Sequence, residues 1–95
     1  MSYTEDQKQD FYARSLKKWG IQLQSVTAME EAAEFIKALS KHMRHNTAET
    51  QAALAEELCD LRLMLGQVEF AYNLRKKAAA AEDWKLQRLD KRLEE

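Results

Sequence analysis

The sequence predicts an all-α protein, and three features carry that prediction. In 95 residues there is no proline, and Gly20 and Gly66 are the two glycines, so the turn punctuation of a β-rich fold is missing. Ala, Leu, Glu, Lys, Gln and Arg dominate, and these are the strongest helix formers. Apolar residues recur at spacings of three and four rather than alternating. One domain over residues 1–95 is expected. A lone chain of this size buries only about 60–65% of its unfolded surface. The expected architecture is therefore a four-helix, bundle-like subunit that assembles into a homo-oligomer.

Ser2 and Glu5 have capping-box spacing and are expected to start the first helix. Phe11, Tyr12, Leu16 and Trp19 supply its apolar positions, and Gly20 ends it. The second helix is expected over about residues 21–43, with Met29, Ala32, Ile36, Leu39 and Met43 as its core stripe. Thr27 with Glu30 is an alternative cap that would move its start to Ala28. His42 to Thr47 reads as a connection facing solvent, with Asn46 and Glu49 capping the third helix. That helix, about residues 47–72, carries Leu54, Leu58, Leu61, Leu65 and Val68 on one side and Cys59, Leu63 and Phe70 on another. Apolar residues on most of a circumference imply a helix surrounded by protein, here its own bundle and a second subunit. A weak break near Asn73 and Leu74 precedes a fourth helix, about residues 79–93, with Trp84, Leu86, Leu89 and Leu93.

Composition excludes several classes. A single cysteine, Cys59, rules out an internal disulfide framework and a cysteine-based zinc site; it reads as a small buried hydrophobe. The polar, acidic start is unlike a signal peptide, and no apolar run reaches the roughly 20 residues that span a bilayer. A cytoplasmic protein with no membrane partner is the expectation. A net charge of −1 argues against a nucleic-acid partner. The charge is nonetheless uneven, since residues 75–92 hold seven basic and three acidic side chains after a net-acidic body. A weak nucleic-acid binder using that basic segment would leave the acidic pairs described next unexplained.

Two helices carry acidic pairs at matching spacing: Glu30-Glu31-x-x-Glu34 and Glu57-x-x-Asp60. Residues three apart share a helical face. At about 100° per residue, Leu61, Met64, Val68 and Ala53 fall within about 40° of Glu57, which places Glu57 inside an apolar arc and Asp60 at its edge. Glu31 borders the arc of its own helix beside Phe35; Glu34 and Glu30 lie progressively further out. Four clustered carboxylates can pair with Lys or Arg, share protons, or bind a metal. An all-oxygen donor set suits a hard cation, Mg²⁺ or Mn²⁺. His42 and His45 lack the Glu-x-x-His spacing of di-iron bundles. Lys37 and Lys41 follow Glu34 at helical spacing and read as its surface ion-pair partners.

The EExxE and ExxD motifs, 22 residues apart between Glu34 and Glu57, resemble the signature of the MazG-like all-α nucleoside triphosphate pyrophosphohydrolases. The likeness extends from Lys18-Trp19-Gly20 and Gln24, through Met29–Lys41 and Leu54–Leu61, to the basic element Lys85–Leu93. One departure is Leu89, which stands where many members carry Asn. The resemblance implies Mg²⁺-dependent hydrolysis of a nucleoside triphosphate substrate between its α and β phosphates, giving a monophosphate and pyrophosphate. By motif position it assigns Glu31, Glu34, Glu57 and Asp60 to the metal, with Glu30 as a fifth acidic member of the catalytic set. Lys85, Arg88 and Arg92 would contact the leaving phosphates, and Trp19 and Gln24 the base. Family members are similarly dimers or tetramers, so a homodimer or homotetramer is implied. The alternative is a non-catalytic helical assembly module that retains an acidic metal-binding cluster.

Overall fold

Thr4, rather than Ser2, starts the first helix. The structure, a computed structural model, describes residues 2–95; Met1, the first residue of the expected domain, lies outside them. Thr4 Oγ1 accepts from the Gln7 amide at 3.1 Å, and Gln7 Oε1 accepts from the Thr4 amide at 2.8 Å. This capping box satisfies two orphan donors and opens α1, Glu5–Trp19. Gly20 then takes φ 84 and ψ 159, a region essentially closed to side chains with a Cβ. Its amide bonds back to the Leu16 carbonyl, and its carbonyl accepts from Gln24 at the head of α2, Ile21–His45. One glycine thus ends one helix and begins the next.

The early start holds for α2. Thr27 is no cap: its hydroxyl donates to the Leu23 carbonyl inside the helix. The helix runs two residues past Met43, because Asn46, not His42, adopts the left-handed conformation that stops it. Thr47 is then the cap of α3, Ala48–Ala71, in a reciprocal box with Thr50. The expected Asn46–Glu49 cap is corrected by one residue, since Asn46 is already used to end α2. Asn73, at φ 56, breaks the chain before α4, Arg75–Glu94, which begins four residues earlier than expected.

The described residues hold four helices and no strand. Helices α2 and α3 form an antiparallel hairpin, and α1 packs on α3 and more lightly on α2. The Arg75–Glu5 ion pair, 3.7 Å, ties the head of α4 to the head of α1; α4 otherwise stands away from the other three.

No apolar side chain among the described residues is buried. The two buried residues among them are polar, Gln24 and Thr50. The accessible surface is 7894 Å², against about 5,700 Å² for a compact monomer of this mass. The radius of gyration is 16.0 Å, against about 12 Å for a compact domain of this length. The expected core stripe of α2 accordingly faces outward: Met29, Ile36 and Met43 are each about two-thirds or more exposed. The face of α2 that meets α3 is instead Gln24, Thr27, Glu31, Phe35, Ala38 and His42. No helix is long and apolar enough to cross a membrane among the described residues.

Candidate metal centre

The seam between α2 and α3 follows one antiparallel register. Gln24 Nε2 donates to Gln67 Oε1 at 2.8 Å near one end. His42 Nδ1 lies 2.8 Å from Thr50 Oγ1 near the other, so His42 is held in the seam rather than facing solvent. Between these ends, Glu31 meets Glu57 and Asp60. Polar side chains thus recur along the seam, with Phe35 and Ala38 between Glu31 and His42.

One carboxylate oxygen from each of Glu31, Glu57 and Asp60 lies within 4.8 Å of the other two. Glu31 and Glu57 are half-buried and Asp60 is exposed, the order that the helical faces predict. Partial burial first, then repulsion from Glu31, Asp60, Glu34 and Glu56, holds the Glu57 carboxyl above its ordinary value. Glu34, one turn on from Glu31, is exposed but close enough to add to that repulsion. Glu30 is exposed and outside the group.

Ion pairing does not neutralise this cluster. Two ion pairs form among the described residues, Arg14–Asp10 at 3.0 Å and Arg75–Glu5 at 3.7 Å, and neither involves it. Lys37 and Lys41 do not pair with Glu34, contrary to the sequence expectation. The donor set suits a hard cation: cis and trans oxygens around octahedral Mg²⁺, bonded at about 2.0–2.1 Å, lie roughly 3–4 Å apart. Carboxylates already within 4.8 Å of each other reach that spacing by small side-chain rotations.

Beyond Asp60 the seam opens into a pocket of about 400 Å³ lined by Trp19, Leu23, Gln24, Thr27, Met64 and Gln67. It brings Trp19 and Gln24 together. Gln24 is 3% exposed, and its Oε1 is buried without a hydrogen-bond partner, a deficit of about 1–3 kcal/mol. Gln67 was not singled out by sequence, although it stands seven residues from Asp60, on the face that carries the carboxylates. The basic residues of α4 lie elsewhere. Arg88 and Lys85 lie over the Trp84 ring at 5.0 and 5.8 Å, and the structure does not bring them or Arg92 to the carboxylates. Cys59 is exposed rather than buried.

The cluster is expected to make stability depend on pH and, if it holds a cation, on metal. Glu57 binds its proton more tightly in the folded than in the unfolded chain. The stability this contributes is fully present below the ordinary value of 4.5 and is lost as pH rises through the raised value. Melting curves of metal-free protein are therefore expected to fall in midpoint as pH climbs out of the carboxylate range. Mg²⁺ at about 100 times its dissociation constant is expected to raise the neutral-pH midpoint by roughly 10–20 °C. That increment should shrink below pH 4.5, where protons displace the metal. Midpoints indifferent to Mg²⁺ at every pH would remove the cluster as a cation site.

No protein-family model, curated protein or solved structure matches this chain.

Proposed function

We propose that this chain is a Mg²⁺-dependent nucleoside triphosphate pyrophosphohydrolase of the MazG-like kind, a hydrolase acting on phosphoric anhydrides, with Mn²⁺ as a substitute metal. The observation that carries this reading is the meeting of Glu31, Glu57 and Asp60 within 4.8 Å, unneutralised by any Lys or Arg. A structural hairpin gains nothing from half-burying like charges together. Sequence supplies the rest: the two acidic motifs in order, with Glu34 one turn from Glu31 as fourth ligand.

In this reading Glu31, Glu34, Glu57 and Asp60 hold the metal, which when bound offsets the charge of the triphosphate and polarises it. Glu30 stands beside the ligands without a metal bond. The neighbouring pocket takes the base: Trp19 offers a ring to stack on, and the unpartnered Gln24 Oε1 accepts from a base N–H. The subunit works as a homodimer or homotetramer, as its uncovered apolar surface favours. Lys85, Arg88 and Arg92 of α4 would reach the substrate only from a second copy.

The test is pyrophosphate release from a panel of ribo- and deoxynucleoside triphosphates, with Mg²⁺ and with EDTA. Metal-dependent release, with the matching monophosphate as co-product, is the expected result. Mg²⁺ binding without release from any nucleotide would favour the non-catalytic assembly module. Absence of Mg²⁺ binding would sink the metal centre itself.

A further inference from the structure

The carboxylate cluster creates a charge problem that α2 itself answers. Glu31, Glu34, Glu57 and Asp60 carry four negative charges, and one divalent cation offsets two of them. A polyphosphate drawn to such a site meets net repulsion unless cations stand nearby. Within the subunit, α4 does not supply them.

On the side of the cluster away from the amide pocket, the seam opens into a cleft of about 290 Å³. Its walls include Glu34 and Glu57 of the cluster, then Lys37 and Lys41. Ala38 and Ala53 also line it, and their small side chains leave the space open. Lys37 and Lys41 lie three and seven residues beyond Glu34, on its face of α2, which puts them about 4.5 and 10.5 Å further along the axis. Neither forms an ion pair among the described residues. The amino end of α3 borders the same cleft through Thr50, adding the positive end of a helix dipole. Glu49 is the one opposing charge there outside the cluster.

The amide pocket, the carboxylates and the lysines therefore follow one another along a single seam. We propose that Lys37 and Lys41 bind the terminal phosphates of the substrate, the part that departs as pyrophosphate, without help from a second copy. The assignment rests on the pyrophosphohydrolase reading above. In that hydrolysis a water oxygen bonds to phosphorus and its proton passes to solvent. The anhydride bond between the α-phosphorus and the bridging oxygen breaks, and the electron pair leaves on pyrophosphate. Two ammonium groups at the departing end stabilise that charge as it forms.

The experiment measures binding of Mg²⁺ alone and of inorganic pyrophosphate with Mg²⁺, by calorimetry, in the wild type, Lys37→Met, Lys41→Met and the double variant. Each single substitution is expected to weaken pyrophosphate about 10-fold and the double about 100-fold, the scale of hydrogen bonds to charged groups. Affinity for Mg²⁺ alone should hold within about two-fold or tighten, because the lysines repel the metal. Lys37→Arg and Lys41→Arg should restore most of the loss, which a packing defect would not allow. A double variant that binds pyrophosphate within two-fold of wild type overturns the assignment of the lysines. A wild type that binds Mg²⁺ but neither binds pyrophosphate nor turns over any nucleotide overturns the reading beneath it as well.

Discussion

Glu57→Gln is expected to abolish Mg²⁺ binding and turnover and, at the same time, to raise the melting temperature of the metal-free protein. The two effects share one cause. Glu57 stands half-buried among Glu31, Asp60 and Glu34, and its proton affinity is raised by burial and by their charge. Replacing it with an isosteric amide deletes the central charge of the cluster, which relieves the repulsion and removes a ligand. Substituting groups that merely support a metal ligand costs about 10–100-fold; loss of a ligand should exceed that range. Most substitutions destabilise by about 1 kcal/mol, so a rise in metal-free stability points specifically to a like-charge cluster. Asp60→Asn should reproduce the loss of metal with a smaller gain in stability, because Asp60 is exposed. Glu34→Gln should do the same, and Glu30→Gln should retain metal binding. Titration calorimetry with Mg²⁺, pyrophosphate release and thermal melts in EDTA separate these outcomes. Full turnover in both Glu57→Gln and Asp60→Asn would remove the ligand assignment.

The carboxylate faces were legible because helical periodicity is local. Glu57 and Asp60, three residues apart, share a side of any helix that contains them, and the apolar neighbours of Glu57 show which side. The register between α2 and α3 is not local, and what depends on it was missed. Gln67 becomes a partner of Gln24 only when the hairpin is closed. Lys37 and Lys41 read as ion pairs of Glu34 because spacing along a helix says nothing about an open cleft beside it. Caps shifted by a residue or two where several cap-forming residues stand together: Ser2 lost to Thr4, and Asn46 to Thr47. The more instructive error is the stripe Met29, Ile36, Met43, expected as core and found in solvent. A hydrophobic face shows that something covers a helix, not which chain does so. The polar seam had taken the face toward α3, so the apolar face was left pointing away from it.

That outward face leads to the second large effect. Met29→Glu combined with Ile36→Glu is expected to turn an assembled protein into a monomer that no longer melts cooperatively. Met29, Ile36 and Met43 recur every seven residues, 68%, 66% and 77% exposed, with Ala32 and Leu39 between them. This is the a/d pattern of a helix that packs along another. Leu58 and Leu65, also seven apart, are 40% and 51% exposed on α3. The surface in excess of a compact monomer, about 2,200 Å² per chain, matches the per-subunit share of an obligate interface, roughly 1,000–2,500 Å². A chain with no buried apolar side chain among its described residues has little else to make its folding cooperative, so subunit association and folding should be one transition. Each glutamate placed in that contact costs several kcal/mol for an unpaired buried charge, and a two-fold axis repeats it. Light scattering coupled to gel filtration should find a dimer or tetramer in the wild type and a monomer in the double variant, with melting temperature rising with concentration only in the wild type. Metal binding should fall with assembly, because Met29 and Ile36 each lie two residues from a carboxylate of the cluster on the same helix. A wild type that is monomeric at micromolar concentration, yet melts sharply and independently of concentration, would show that this apolar face is not covered by a second copy.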